Sequence, residues 1–291
     1  MGDDLTPVLV TGASGYLGGS VLEMLRREGV NAIGLSCKSP GTINCDLTDA
    51  SAVGTLLRDI RPRVVVHCAA NVPRSAADYL DEEAAGASLL MVENLARHRP
   101  QHLIFASSMT VYSDGIGIAR EDCANPNSTG YAGGKLSAER LLLATPGVTS
   151  TILRFPGLFG PPRRGGVLFN AAMAYVCGGI PELADRLPQW SALHVSDAAE
   201  LLVRAIRRKP AESSVINAGY PGRMSIRSAV KCIAAHFARD FDIGNSLWFE
   251  FDLSRLMSTL GLPRMTFEQR IAEFVEWVRV VAREATPARP S

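Results

Sequence analysis

The chain has 291 residues, 47% hydrophobic and 20% charged, which is material for one large domain or two smaller ones and excludes disorder of the bulk. Its formal net charge is +1, with Arg26-Arg27, Arg163-Arg164 and Arg207-Arg208-Lys209 scattered along it, so a massed nucleic-acid surface is excluded. No apolar run approaches the ~18 residues of a membrane span, and Met1-Gly2-Asp3-Asp4 is acidic where a signal peptide would be basic, so a cytoplasmic location is expected.

In chain order, Pro7-Val8-Leu9-Val10 reads as a strand, 18–28 as a helix and 31–35 as a second strand, which together make a βαβ unit. A short strand ending at Asn44-Cys45, a helix over 50–60, the apolar strand 64–68 and a helix around 83–98 continue the rhythm. The strand 102–106, a helix carrying Tyr131 and running through Leu143, and the strand 151–154 follow. Near-continuous apolar strands separated by helices mean a parallel sheet covered on both faces. The expected class is α/β, a Rossmann-type doubly wound parallel sheet with a smaller C-terminal substrate-binding domain. After Phe155 the alternation stops in a stretch crowded with Pro156, Gly157, Gly160, Pro161, Pro162, Gly165 and Gly166. The expected domains are therefore a larger one over 1–155, rejoined by part of 192–216, and a smaller one mainly over 156–291. The last residues, 286–291, read as a frayed tail.

Six cysteines, at 37, 45, 68, 123, 177 and 232, form no C-x-x-C pair and no metal-ligand spacing with the five histidines. They are expected to be reduced and mostly buried, with no metal site. There is no G-x-S-x-G elbow, so His194 and Asp197 read as structural rather than as parts of a hydrolase. His67, ending an apolar strand, reads as a core histidine.

Two local patterns carry chemistry. Thr11-Gly12-Ala13-Ser14-Gly15-Tyr16-Leu17-Gly18 spaces glycines by three where a strand turns into a helix, which lets backbone approach a phosphate at a helix N-terminus. Downstream, Tyr131 and Lys135 stand four apart, on one face if the segment is helical. A neighbouring cation favours phenolate, so the phenol is expected to titrate below its usual value of about 10 and to exchange protons beside a nicotinamide. Gly133 and Gly134 each cost about 1 kcal/mol in a helix relative to alanine, which implies a close backbone neighbour.

These patterns, in order, resemble the extended short-chain dehydrogenase/reductase family. Its T-G-x-x-G-[FY]-[IL]-G appears as Thr11 to Gly18, its D-[LIV] as Asp46-Leu47, its H-x-A-A as His67-Cys68-Ala69-Ala70, and its S-S-x-x-V-Y as Ser107 to Tyr112. Tyr131 to Lys135 match Y-x-x-x-K; Leu153-Arg154 with Phe159-Gly160-Pro161, His194 to Asp197, and Asp252 to Arg255 with Leu260-Gly261 look like its later motifs. The resemblance implies Tyr131 as general acid/base, Ser108 as the hydroxyl that orients the substrate oxygen, and Lys135 as the group that binds the nicotinamide ribose and depresses the Tyr131 pKa. It further implies cofactor contacts from Gly12, Ser14, Gly15, Tyr16, Leu17, Gly18, Asp46, Leu47, Ala69, Ala70 and Pro156, and substrate contacts from Asn71, Ser108, Met109, Gly157 and Arg163. Asp46 is placed against the adenine, leaving Thr48 and Asp49 to compete for the next helix cap.

Departures from the family pattern set further expectations. The second strand ends Leu35-Ser36-Cys37-Lys38 with no carboxylate for the ribose hydroxyls, and Ser36 and Lys38 suit a 2′-phosphate, so NADP is expected, with NAD the alternative. Met109-Thr110 stands where the sugar 4,6-dehydratases carry an Asp-Glu pair, which disfavours dehydration. Glu83 replaces an expected Asn, Trp190 stands near a missing diphosphate-gripping Arg, and Phe155-Pro156-Gly157 lacks the epimerases' Asn. The leading expectation is an NADP-preferring oxidoreductase acting on a keto-sugar nucleotide. An epimerase with retained NAD is the runner-up, and a silent dinucleotide-sensing protein is the alternative of another class. The helix with Ala84, Ala87, Leu90, Met91 and Leu95 and the helix with Leu136, Leu141 and Leu142 carry more apolar positions than one sheet-facing stripe needs, so a homodimer is expected.

Overall fold

Strand residues alternate between two apolar layers, and that alternation builds the molecule. Val8, Val10, Val64, Val66, Ile104 and Leu153 belong to one buried cluster, while Leu9, Val65, Leu103, Phe105 and Ile152 belong to another on the opposite face. The protein, described by a computed structural model over residues 6–285, leaves the acidic start at 1–4 and the tail at 286–291 outside the described residues.

The strands β1 (Val8–Thr11), β2 (Ala32–Ser36), β3 (Ile43–Asn44), β4 (Val64–His67) and β5 (His102–Ser108) alternate with helices α1 (Tyr16–Arg27), α2 (Ala50–Ile60) and α3 (Glu82–Arg97). After β6 (Ile118–Ala119) come α4 (Gly130–Ala144), β7 (Thr149–Phe155), β8 (Gly157–Phe159) and α5 (Val167–Val176). The chain continues through β9 (Ala192–His194), α6 (Val195–Ile206), β10 (Ser214–Asn217), α7 (Ile226–Ala235), β11 (Glu250–Phe251), α8 (Ser254–Thr259) and α9 (Phe267–Ala285). The main sheet has seven parallel strands in the order β10-β7-β5-β4-β1-β2-β3. Helices α1 and α6 cover one face and α2, α3 and α4 the other. This is the doubly wound α/β architecture expected from the strand–helix rhythm.

Each helix starts where the sequence offers a cap or a turn. Asp49, not Asp46, caps α2, accepting from the Ser51 and Ala52 amides; Asp46 instead accepts from the Thr48 amide and hydroxyl. Asp81 caps α3 by accepting from the Ala84 amide. The glycines of α4 sit at close approaches: a Cβ on Gly133 would lie 2.5 Å from the Ser128 carbonyl oxygen, and one on Gly134 3.0 Å from Ala85 Cβ. Gly134 thus lets α3 and α4 pack tightly side by side, and Gly133 lets the chain entering α4 lie against its first turn.

Outside the main sheet lie two small parallel pairs, β8 with β9 and β6 with β11. Between β9 and β11 the chain returns to the main sheet as α6 and β10. Helices α5, α7 and α9 extend the first apolar cluster through Tyr175, Ile233, Phe274 and Val278. The cysteines differ from expectation: all six are free, but Cys37, Cys123 and Cys177 are exposed and the rest only half-buried. They stand at strand ends, in turns and on half-exposed helix faces rather than on the inward-facing positions that Val, Leu and Ile occupy.

Candidate active site

The turn from β1 into α1 is shaped by what cannot fit there. Gly12 has φ of 65°, and a Cβ on it would lie 2.7 Å from the Ala69 amide nitrogen. A Cβ on Gly18 would lie 2.3 Å from the Gly12 carbonyl oxygen. Thr11 fastens the turn to the end of β4: its hydroxyl lies 2.8 Å from His67 Nδ1 and accepts from the Ala69 amide at 3.3 Å. Gly15 precedes α1 in extended conformation with no side chain to cap it. The first amides of the helix, from Tyr16 and Leu17 onward, are thus available to an anion, with Ser14 and Gly15 exposed beside them. Tyr16 donates its hydroxyl to the Gly160 carbonyl at 2.6 Å, and the Arg163 guanidinium lies 5.9 Å from the Tyr16 ring centre. The turn therefore touches the loop after β8 directly.

At the end of β2, Ser36 is buried and its hydroxyl is already engaged, 2.5 Å from Thr42 Oγ1 and accepting from the Ser39 amide. Lys38 is exposed. Asp46 is exposed on the neighbouring strand end, its carboxyl held below the usual range by the Thr48 hydrogen bonds, and Leu47 is buried beneath it. Ala69 and Ala70 are half-buried just beyond β4.

Ser108, Tyr131 and Lys135 come together at the carboxyl end of β5. Lys135 is buried, donates to the Ala106 carbonyl at 2.7 Å, and lies 4.6 Å from the Phe105 ring centre and 5.7 Å from that of Tyr131. Burial pushes its pKa down to about 8, opposed by the Cys68 thiol and the Glu139 carboxylate. Ser108 accepts from the Thr110 amide and hydroxyl, which leaves its own proton to donate. The Tyr131 phenol departs from expectation. Burial, followed by the Tyr79 phenol, pushes it up to about 12, and only the nearby Ser108 hydroxyl acts downward. The Lys135 ammonium does not offset this: it sits by the ring, with one proton committed to Ala106.

The opposite wall is formed after β7. Pro156 is buried and Gly157 faces Trp190: a Cβ there would lie 2.5 Å from the indole nitrogen. Gln189 fixes this wall by donating to the Ile116 and Trp248 carbonyls and accepting from the Gly115 amide. Met109 is half-buried beside Ser108, and Arg163 is exposed. Asn71 is turned toward α3, its amide donating to the Ala84 carbonyl at 3.2 Å.

The remaining polar candidates have structural partners. His67 is fully buried, stacked on Phe105, and burial pushes its pKa down to about 3. His194 accepts from the Ser196 amide and caps α6, while Asp197 takes Arg270 at 2.5 Å and the Tyr220 hydroxyl at 2.5 Å. Sequence reasoning passed over two residues of this neighbourhood. Tyr79 meets the Tyr131 ring, and Glu139 lies one turn beyond Lys135. The four-residue spacing from Lys135 was the available signal for Glu139; Tyr79 offered none, since it stands in an irregular segment.

Comparison with known proteins agrees with this geometry. The chain is 24% identical to dTDP-L-rhamnose 4-epimerase of Burkholderia thailandensis, over 93% of this chain and 94% of that one. It is 33% identical to methionine adenosyltransferase 2 subunit beta of Xenopus tropicalis, over 54% of this chain and 50% of that one. Its fold superposes on the solved structure of MoeE5 in complex with UDP-glucose and NAD with a TM-score of 0.79, at 25% identity, covering 96% of this chain and 100% of that one. The NAD dependent epimerase/dehydratase family matches residues 8–219, a span that holds the glycine turn, Ser108, Tyr131 and Lys135 together. That match covers most of the chain, and the chain is thus an enzyme of the NAD dependent epimerase/dehydratase family.

Proposed function

We propose that the enzyme is a nucleotide-sugar epimerase that keeps NAD through its cycle and inverts a secondary alcohol of the sugar. The observation that carries this reading is the convergence of Ser108, Tyr131 and Lys135 beside a glycine cradle, with Met109 and Thr110 offering no carboxylate for elimination. The similarity to a 4-epimerase across nearly the whole chain supports it over the reductase expected first.

The residues fit a dinucleotide. Gly12 and Gly18 keep the turn tight, since a Cβ on either would strike backbone atoms of Ala69 or Gly12, and the uncapped start of α1 suits a pyrophosphate. When bound, the nicotinamide supplies a reversible hydride acceptor. Tyr131 exchanges the proton of the substrate hydroxyl, Ser108 donates to that oxygen, and the two Lys135 protons not given to Ala106 serve the ribose hydroxyls. Gly12 to Gly18 hold the pyrophosphate, Asp46 and Leu47 the adenine, and Ala69, Ala70 and Pro156 the nicotinamide side. Asn71, Met109, Gly157 and Arg163 are the proposed substrate contacts. NAD is favoured because the Ser36 hydroxyl is taken by Thr42 and Ser39, so the NADP reading rests on Lys38 alone. We also read 156–291 as mainly substrate-binding, with α6 and β10 returning to the sheet.

The test is incubation of the purified enzyme with UDP-galactose, without added cofactor, and chromatography of the products together with the nucleotide released on denaturation. UDP-glucose formed by wild type and not by Tyr131→Phe, with NAD released from both, is the expected result. Stoichiometric consumption of added NADPH in place of interconversion would return the reading to a reductase.

A further inference from the structure

A buried polar row runs behind the reacting cluster. Ser107, Arg154 and Asn217 are register neighbours on β5, β7 and β10. Glu139, on α4, reaches into this row from above and is 1% exposed. Its carboxylate accepts the Ser107 hydroxyl at 2.5 Å, Arg154 Nε at 3.0 Å and Arg154 Nη2 at 2.6 Å. Arg154 spends its other terminal nitrogen on the Tyr112 hydroxyl at 2.8 Å and the Glu121 carbonyl at 2.9 Å. Tyr112 passes the chain to Asn217 Oδ1 at 2.6 Å.

Stability alone does not call for this arrangement. A buried ion pair gives up the hydration of both charges, and a well-packed apolar pair in its place would hold α4 to the sheet as well or better. The arrangement gives orientation instead. Ser107 is the residue before Ser108, so tying its side chain to α4 fixes the strand end that carries Ser108 relative to the helix that carries Tyr131 and Lys135. Glu139 also stands at i+4 from Lys135, on the same helix face.

We infer that Glu139 is a positioning residue: clamped by Arg154, it holds Ser107 and thereby Ser108 in register with Tyr131, and it sets a negative charge one helical turn from Lys135. This rests on the proposed roles of Ser108, Tyr131 and Lys135. The groups that face Lys135 are the Cys68 thiol and His67 imidazole from the β4 end, the Ala106 carbonyl from β5, and Tyr131 and Glu139 from α4; α3 offers only Ala85 and Ser88 nearby. Glu139 is the single carboxylate among them. Its negative charge opposes the desolvation that lowers the Lys135 pKa, so its removal lowers that pKa further.

The experiment compares Glu139→Gln, Ser107→Ala and the double variant Glu139→Met with Arg154→Met. Two readouts are taken across pH: UDP-galactose to UDP-glucose interconversion, and NADH affinity by its fluorescence. For Glu139→Gln we expect kcat to fall by about 10-fold or more with KM changed by less than about 3-fold, the split of an orienting loss. The alkaline fall in NADH affinity should begin at lower pH than in wild type, because Lys135 loses its proton sooner. Ser107→Ala should lower kcat and leave that alkaline fall in place. The double variant should fold with an unchanged or higher melting temperature and still show the kcat loss, while its alkaline fall stays nearer that of wild type, because the Arg154 cation leaves together with the carboxylate. If Glu139→Gln does not fold, the double variant decides the matter, and Ser107→Ala reads the link to Ser108 independently. Wild-type kcat in the folded double variant, a wild-type pH profile in folded Glu139→Gln, or losses that merely track unfolded protein, would overturn the inference. A wild type that fails to interconvert the sugars overturns the epimerase reading alone, since the NADH profile still reports on Lys135.

Discussion

The Tyr79 ring meets the Tyr131 ring edge-on, with centroids 5.8 Å apart and planes at 85°. The contact is possible because Gly130 has no side chain: a Cβ there would lie 2.1 Å from the Tyr79 carbonyl oxygen, so the short 3-10 turn Ala77–Leu80 presses directly on the start of α4. Tyr79 adds to the burial that raises the Tyr131 pKa to about 12. Tyr79→Phe keeps the ring contact and deletes the second phenol. We expect the Tyr131 titration, read as tyrosinate absorbance against a Tyr131→Phe background, to move to lower pH with little change in melting temperature. A midpoint that stays or rises would mean that the turn acts on Tyr131 through exclusion of water alone.

Lys135 sets function against stability. Its ammonium is buried with a pKa lowered by desolvation to about 8, against about 10.4 in the unfolded chain. A depressed folded-state pKa means that the unfolded state binds more protons between the two values, so the stability of the ligand-free enzyme should rise as pH climbs from about 8 to about 10. Lys135→Met removes the buried charge and should raise the melting temperature at pH about 7, where the charge is fully present, while abolishing turnover and weakening dinucleotide binding. Calorimetry across that pH range checks both statements. A lower melting temperature in Lys135→Met would show that the Ala106 hydrogen bond outweighs the desolvation cost.

The sheet and its covering helices were legible because their residues obey strict periods. Leu9, Val65 and Ile152 face one layer and Val10, Val66 and Leu153 the other, so a parallel sheet covered on both faces followed, while the strand order came only from the structure. Gly12, Gly18, Tyr131 and Lys135 were legible because each needs a particular residue type at a particular spacing. The Tyr131 pKa was not, because it depends on how much water the fold removes, and the second phenol beside it, Tyr79, comes from an irregular turn. The Ser36 hydroxyl looked free for a phosphate until the 37–42 loop brought Thr42 back onto it. Periodicity carries no information about such a return. In the same way Arg154 read as one residue of a strand motif, and only the sheet register placed it between Ser107 and Asn217.

Gly18 and Gly29 separate close approach from backbone freedom. Gly29 has φ of 70° with no heavy atom within 4 Å of an added Cβ, so Gly29→Ala should cost about 1–2 kcal/mol from its left-handed backbone alone. On Gly18 the added Cβ would lie 2.3 Å from the Gly12 carbonyl oxygen and 2.7 Å from the Gly12 carbonyl carbon, both backbone atoms. Gly18→Ala must therefore open the turn, at roughly 1–3 kcal/mol or more. The two variants can be matched in denaturant midpoint by choice of temperature, and only Gly18→Ala should lose dinucleotide affinity, by at least about 10-fold. Equal affinity in both would mean that the turn does not hold the pyrophosphate.

The last expectation concerns assembly. Leu95, Leu136 and Leu142 are turned into the sheet, at 1%, 6% and 0% exposure, whereas Leu143 is 47% exposed. On α3, Ala84, Ala87, Leu90 and Met91 are only half-buried. The outer faces of α3 and α4 thus keep apolar surface that their own sheet does not cover, and the two helices lie side by side through Gly134 and Ala85. A two-fold contact would place this pair against its copy and bury both stripes, the commonest route to a symmetric dimer. Light scattering at micromolar concentration should therefore report about twice the 31.2 kDa chain mass. Leu90→Arg combined with Leu143→Arg should return it to the single-chain value with the circular dichroism unchanged, because neither position belongs to the buried core. A wild type that already scatters as one chain would mean that these stripes face water in solution.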